Sequence, residues 1–166
     1  MLIVHHLGRS QSERVVWACE KLGLPYELKR YDRLPTGAAP PEYKALHPFG
    51  TAPIIQDGEL VLAESGAIIE YLCRRRGNGR LTVPPAAPSF PAYLFWYHFA
   101  NGTFVRAVMM AMVGPVPIPG VDAAERERLR RQRLDRAYDL VERRLGEQPH
   151  FAGPEFTAAD IMMVFV

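Results

Sequence analysis

The chain has 166 residues, of which 48% are hydrophobic and 23% charged, and its formal net charge is +2. This length accommodates one large domain or two small ones, and the composition is that of a globular rather than a disordered protein. A net charge this small gives no reason to expect nucleic-acid binding.

The first third of the chain predicts a strand, a helix and a second strand. Residues 2–6 form a short apolar run typical of a strand. Apolar positions then recur at helical spacing over 15–22, and Gly23 stands where a glycine commonly ends a helix. Residues 26–31 alternate as a strand does. The intervening segment is long enough for a crossover that makes the two strands parallel.

The next segment predicts a β-hairpin followed by a helix. One helical turn is expected near residues 42–46, before a strand at 53–56. The dipeptide at 57–58, Asp-Gly, indicates a tight turn into a partner strand at 60–62. A helix is predicted over 65–76. The order is that of an α/β unit.

A Gly- and Pro-rich linker at 79–88 separates this unit from an all-helical second part, 89–166. The helix expected over 89–113 is apolar nearly all round, so it should be buried on several sides. Its only formal charge is Arg106, but prolines at both ends argue for a buried helix instead of a membrane span.

Two further helices are predicted from their starting residues. Asp122 and Glu125 have the spacing of a capping box, and the helix they open is expected to end at Gly146. Thr157 and Asp160 form a second capping box before an apolar run. One face of the first of these helices carries Leu134, Ala137, Tyr138, Val141 and Leu145.

The apolar run at the end comprises Ile161, Met162, Met163, Val164 and Phe165. A helix so uniformly apolar belongs in the middle of a domain, and nothing follows it in the sequence to cover it. We therefore expect it to be exposed, and the helical domain to be incomplete.

Three segments of this chain resemble the glutathione transferase superfamily. Residues 47–66 read HPFGTAPIIQDGELVLAESG, with a Pro-x-Gly turn, a proline before the hairpin and an acid–Ser pair at the next helix start. Residues 5–17, HHLGRSQSERVVW, look like bacterial and fungal members with a serine before the first helix. The capping box at 157–160 looks like the one in the family's helical domain. The resemblance covers the whole chain, although members normally continue with at least two more helices.

The resemblance implies a thioredoxin-like domain at 1–78, which binds glutathione, and an all-α domain at 89–166, which accepts the second substrate. Ala52 would precede a cis proline, Pro53, and bind the cysteinyl part of glutathione with its backbone, like an added strand. Glu64 would face the γ-glutamyl ammonium, and Ser65 with its N–H would bind the carboxylate at a helix start. The alternative for Ser65 is a helix cap only.

Ser10 is the predicted stabiliser of the glutathione thiolate, which is the reactive form of a thiol. Ser12 is the alternative, although it lies closer to the helix and could simply cap it. A second-substrate pocket is expected to include Phe99, Arg106 and Met110, because the helix at 89–113 is rich in aromatic and Met side chains. The resemblance also implies a homodimer.

No metal site is predicted, because the five histidines have no ligand spacing with Cys or carboxylates, and adjacent His5 and His6 in a strand point to opposite faces. Cys19 falls inside the first helix and Cys73 far along the chain. This disfavours protein-cysteine disulfide exchange and fits a reducing cytoplasm. Two other functions stay open: a non-catalytic module of the same fold, and glutathione-dependent peroxide or disulfide reduction.

Overall fold

The computed structural model describes residues 1–113, 117 and 119–164. The chain divides into two compact units, Met1–Pro85, to which Val164 is joined, and Ala86–Met163. The first contains a four-stranded sheet and helices, and the second is all-helical in the residues described. The α/β unit followed by a helical unit is therefore confirmed.

The sheet of the first unit is mixed. Its strands are β1 (Leu2–Leu7), β2 (Glu27–Tyr31), β3 (Ile54–Asp57) and β4 (Leu60–Ala63), in the spatial order β2-β1-β3-β4. β1 runs parallel to β2, with His6 opposite Arg30, and antiparallel to β3. The predicted parallel crossover is thus present.

The β3–β4 turn differs from its prediction by one residue. Asp57 pairs with Leu60, so the two turn residues are Gly58 and Glu59, not Asp57 and Gly58. Gly58 has a φ of 62°, which glycine adopts without the steric cost of a Cβ. Asp57 stays in the strand, where its carboxylate accepts hydrogen bonds from Arg76 and Tyr71.

Three helices belong to the first unit: α1 (Ser12–Leu22), α2 (Pro41–Lys44) and α3 (Ser65–Tyr71). α1 ends as predicted, because Gly23 has a φ of 60° and its N–H donates to the Glu20 carbonyl. α3 continues as a π-helical segment, Leu72–Arg76, so the helical span matches the predicted 65–76.

The first unit buries apolar residues of the sheet and of α1 and α3. Fully buried side chains include Val4, Leu22, Ile54, Ile55, Ile68, Ile69 and Leu72. A second group packs around Tyr43 of α2, with Leu7, Ala39, Ile54 and Ala63. These contacts hold the starts of α1 and α3 in fixed places at the ends of β1 and β4.

The second unit contains α4 (Phe90–Phe99), α5 (Arg106–Val113), α6 (Ala123–Glu147) and α7 (Ala158–Met163). A π-helical segment, Ala100–Val105, joins α4 to α5, so the predicted helix over 89–113 is continuous in its helical character. Within the described residues, none of the helices combines the length and the hydropathy that crossing a bilayer requires.

The burial of α4 and α5 is less complete than predicted. Trp96 and Phe104 are buried, but Phe95 is 49% and Met112 72% exposed. The exposed side chains lie mainly on α5, which packs with α6 and leaves its other side uncovered in this single chain.

The exposure predicted for the last apolar run was wrong. Ile161, Met162 and Met163 are all buried, because α7 packs against α4 and the π-helical segment that follows it. Phe165, the last member of that run, lies outside the described residues.

The first capping box was correct at its first residue, and the second at both, since the Asp160 carboxylate accepts the Thr157 N–H at 2.7 Å. The Asp122 carboxylate accepts the Glu125 N–H at 2.8 Å, and Thr157 Oγ1 accepts the Ala159 N–H at 3.3 Å. The predicted end of α6 at Gly146 was wrong, since the helix continues to Glu147. Of the predicted apolar face of α6, Ala137 is the residue that is buried, whereas Tyr138 and Leu145 are exposed.

Candidate functional site

Ser10 is a buried serine immediately before α1. Its hydroxyl donates to the Leu7 carbonyl at 2.5 Å, and its Oγ accepts the Ser12 N–H at 3.3 Å. Ser10 therefore binds an N–H at the start of the helix, where backbone donors lack partners within the helix. Its hydroxyl proton would have to leave the Leu7 carbonyl to reach any ligand.

Ser12 is the first residue of α1 and does not cap it, which corrects the expectation that Ser12 could be only a helix cap. Gln11 occupies the capping position. The Ser12 hydroxyl instead lies 2.8 Å from Ser10 Oγ, 2.8 Å from His6 Nδ1 and 3.2 Å from the Leu7 carbonyl oxygen. Ser12 thus links Ser10 to a histidine of β1.

Ser65 lies at the start of α3 and is tied to the start of α1. Its hydroxyl donates to Gln11 Oε1 at 2.9 Å, and Arg14 Nη1 donates to the same Gln11 oxygen at 3.1 Å. Arg14 Nη1 also lies 3.4 Å from Ser65 Oγ. These bonds bring the first turns of both helices together, with Ser10 adjacent in sequence to Gln11.

Glu64, and not Ser65, is the N-cap residue of α3. Its φ of 73° is unusual for a residue with a side chain and costs conformational energy, as residues at functional sites often do. The Glu64 side chain is exposed. The peptide bond between Ala52 and Pro53 is cis.

A concave region of the first unit lies beside Arg9, the residue before Ser10. It has a volume of about 400 Å³ and is lined by Gly8, Arg9, Asp32, Arg33, Leu34, Pro35 and Gly37. The Arg33 guanidinium donates to the Gly8 and Arg9 carbonyls at 2.9 and 3.1 Å, which fixes the backbone where Arg9 has a φ of 51°.

Neither cysteine of the protein is a reactive thiol. Cys19 and Cys73 are both buried, and burial raises the pKa of each thiol to about 12. Since the thiolate is the nucleophilic form, neither cysteine is suited to disulfide exchange in the folded protein.

The residues predicted for a second-substrate pocket lie in the helical unit. Phe99 lines a cavity of about 460 Å³ together with Thr103, Leu129, Arg133, Arg136, Ala137 and Leu140. Arg106 and Met110 are exposed residues of α5. The described ranges contain no group of three or more His, Cys, Asp or Glu side chains that could hold a metal ion.

Three residues of this site were not predicted from the sequence: Gln11, Arg14 and, in its contact with Ser12, His6. The sequence offered only one signal for Arg14, a charged residue beside the apolar positions of α1. Its burial, with 1% of the residue exposed, and its partners are known from the structure. Nothing in the sequence indicated the contact between Gln11 and Ser65.

Comparison with known proteins supports the family that the motifs suggested. The family description "Glutathione S-transferase, N-terminal domain" matches residues 9–75, and "Glutathione S-transferase, C-terminal domain" matches residues 122–166. Glutathione S-transferase 3 of Schizosaccharomyces pombe is 34% identical over 99% of this chain and 72% of its own length. Glutathione S-transferase 3 of Zea mays is 33% identical over 89% of this chain and 68% of its own.

Solved structures of glutathione S-transferases are also similar to this chain. A glutathione S-transferase from Actinobacillus pleuropneumoniae matches with a TM-score of 0.85 and 34% identity, over 98% of this chain and 74% of its own. A theta class enzyme from Xanthomonas axonopodis, solved with glutathione bound, matches with a TM-score of 0.70 and 28% identity, over 98% of this chain and 78% of its own. The chain belongs to the glutathione S-transferase family, a family of transferases.

Proposed function

We propose that this protein binds glutathione in its first unit, stabilises the thiolate with Ser10 and adds that thiolate to a hydrophobic electrophile. The observation that carries the proposal is the junction of the two helix starts, where Gln11, adjacent to Ser10, accepts a hydrogen bond from Ser65. The positive ends of two helix dipoles would converge on an anionic ligand there.

Glutathione offers groups that suit this junction. Its γ-glutamyl carboxylate would bind at the start of α3, to Ser65 and its backbone N–H, and its ammonium would pair with the exposed Glu64 carboxylate. The backbone of Ala52, before the cis Pro53, would pair with the cysteinyl part of the tripeptide. The unusual φ of Glu64, 73°, supports a role in ligand binding.

The Ser10 hydroxyl and the helix start together supply interaction energy of the size needed to acidify the thiol. A free thiol has a pKa of about 8.5, and lowering it by about two units requires roughly 2.7 kcal/mol. A hydroxyl that donates to a charged acceptor contributes about 1.5–3 kcal/mol, and a helix N-terminus about 0.3–1 kcal/mol. Because the Ser10 hydroxyl contacts the Leu7 carbonyl in the protein alone, part of this gain is offset when the proton turns to the sulfur.

The second substrate would be an apolar electrophile bound by the helical unit. Phe99 and its cavity, with the exposed Arg106 and Met110, supply aromatic, cationic and adaptable apolar contacts.

Exposed apolar side chains of α4 and α5, such as Phe95 and Met112, support a homodimer, whose mass by light scattering would be about twice 18.7 kDa. The two free cysteines support a reducing, cytoplasmic setting.

Calorimetry with glutathione, followed by conjugation assays on a panel of apolar electrophiles, tests this function. We expect saturable binding and conjugation that Ser10→Ala lowers at least tenfold. Glutathione binding without turnover of any electrophile or peroxide would instead indicate a binding module. No binding of glutathione at millimolar concentration would exclude the proposal.

A further inference from the structure

His6 lies at the far end of a line of polar groups that begins at Ser10. The Ser10 and Ser12 hydroxyl oxygens are 2.8 Å apart, and Ser12 Oγ is 2.8 Å from His6 Nδ1. On the other side of the ring, His6 Nε2 lies 3.4 Å from Glu13 Oε1. Two hydroxyls, an imidazole and a carboxylate are therefore in contact, and the function proposed above uses only the Ser10 hydroxyl.

We propose that this line is a proton relay, in which His6 accepts the proton that the glutathione thiol loses. The inference rests on the role proposed for Ser10. The S–H bond breaks and its proton moves to Ser10 Oγ, while the proton of Ser10 moves to Ser12 Oγ and that of Ser12 to His6 Nδ1. Each serine gains one proton and gives up one, so the products are a thiolate and an imidazolium.

The hydrogen bonds left by this transfer all point toward the sulfur. His6 Nδ1–H donates to Ser12, Ser12 donates to Ser10, and Ser10 donates to the thiolate. For its proton to pass to Ser12, the Ser10 hydroxyl must first turn from the Leu7 carbonyl, to which it donates in the protein alone, and the transfer then leaves it donating to the sulfur.

Glu13 suits the relay both before and after the transfer. A neutral His6 with its proton on Nε2 donates toward the Glu13 carboxylate and leaves the Nδ1 lone pair for Ser12. The opposite tautomer would direct a lone pair at the carboxylate. After the transfer, Glu13 partners the imidazolium, as the acid does in serine–histidine–acid triads.

The Glu13 carboxylate on α1 contacts this ring, and the exposed Arg30 of β2 is the register neighbour of His6 in the sheet. The His6 side chain is 12% exposed and that of Glu13 is 43% exposed, so solvent weakens the interaction between these two side chains. The contact between His6 and Ser12 is not affected by this exposure.

Proton counting distinguishes the relay from direct loss of the proton to solvent. Thiolate formation would be followed by its ultraviolet absorbance and proton release by an indicator dye, in weak buffer near pH 8, where a histidine in water is neutral. We expect the unmodified protein to release fewer protons for each thiolate formed than a variant without the imidazole, because His6 retains part of the proton.

His6→Asn can still hydrogen-bond to Ser12 but cannot take up a proton. It should release about one proton per thiolate and raise the thiol pKa by about half a unit, a threefold loss of thiolate below that pKa. Glu13→Gln, at an exposed position, should change both readings in the same direction and keeps the test decisive if His6→Asn does not fold. His98→Asn, on the exposed side of α4, should change neither.

Equal proton release by the unmodified protein and by both variants would overturn the relay and leave the role of Ser10 intact. If the unmodified protein binds glutathione but forms no thiolate, the relay and the proposed function both fail.

Discussion

The hydroxyl of Ser65 donates to Gln11 Oε1 at 2.9 Å, which joins the start of α3 to the residue that caps α1. The two residues are 54 positions apart in sequence. Arg14, buried in α1, donates to the same Gln11 oxygen and so holds it in place. The proposed binding groups of α3 are thus oriented by the helix that follows Ser10.

Glutathione affinity should depend on Ser65 and Glu64. Ser65→Ala removes a hydrogen bond to a charged carboxylate, worth about 1.5–3 kcal/mol, so its Kd should rise roughly tenfold or more. Glu64→Ala should weaken binding through loss of the ammonium's partner. Calorimetry measures both, with Glu59→Ala in the exposed β3–β4 turn as the matched control. Unchanged affinity in both variants would reject this site.

Gln11→Ala separates direct binding by Ser65 from its positioning. This change removes the hydrogen bond between Gln11 and Ser65 but leaves the Ser65 hydroxyl and its contact with Arg14 in place. We expect a smaller rise in Kd than for Ser65→Ala. An equal rise would mean that Ser65 matters for the arrangement of α3 and not for contact with the ligand.

Ser10 should affect the ionisation of bound glutathione more than its affinity. Ser10→Ala should raise the thiol pKa by about one to two units and leave the Kd at low pH within a few-fold. Ser12→Ala should cause a smaller shift, because Ser12 acts through Ser10. Thiolate absorbance against pH measures each shift. A larger shift for Ser12→Ala would exchange the roles of the two serines.

Local signals in the sequence predicted most elements of the fold. Gly23 ends α1 because it adopts a positive φ, and the carboxylate of Asp122 caps α6 through a contact three residues away. The same kind of signal was less accurate at Gly146, where α6 continues to Glu147, because a single glycine costs a helix only about 1 kcal/mol.

Contacts between distant residues were beyond sequence reasoning. The burial of Met162 depends on packing between α7 and α4, and the role of Ser12 depends on His6 in β1. A serine near a helix start is often a cap, and only its actual partner distinguishes the alternatives. The type and spacing of residues thus marked Ser10, Ser12 and Ser65 as candidates, but did not predict how their side chains are linked.

The buried cysteines should remain unreactive until the protein unfolds. Burial raises the pKa of Cys19 and of Cys73 from 9.0 to about 12, so the folded state favours the neutral thiols. Their contribution to stability is complete below pH 9 and is lost as the pH rises from about 9 to about 12, because the unfolded thiols ionise first. Labelling with a thiol reagent at pH 8 should modify neither cysteine in the native protein and both in denaturant. Rapid native labelling of either would contradict the burial.

Asp160 should contribute more to stability than Asp122, although both belong to a capping box. The Asp160 carboxylate is buried and accepts the Phe151 N–H at 2.8 Å and the Thr157 N–H at 2.7 Å. Asp160→Ala leaves both of these buried donors without their acceptor, at about 1–3 kcal/mol each. Asp122 lies at an exposed helix start, where loss of a cap costs about 1 kcal/mol. Thermal unfolding should therefore show a Tm several degrees lower for Asp160→Ala than for Asp122→Ala, since 1 kcal/mol corresponds to about 2–4 °C in a chain of this size. Equal Tm values would mean that water or backbone shifts satisfy the Phe151 and Thr157 donors, and that the capping box does not hold α7 in the helical unit.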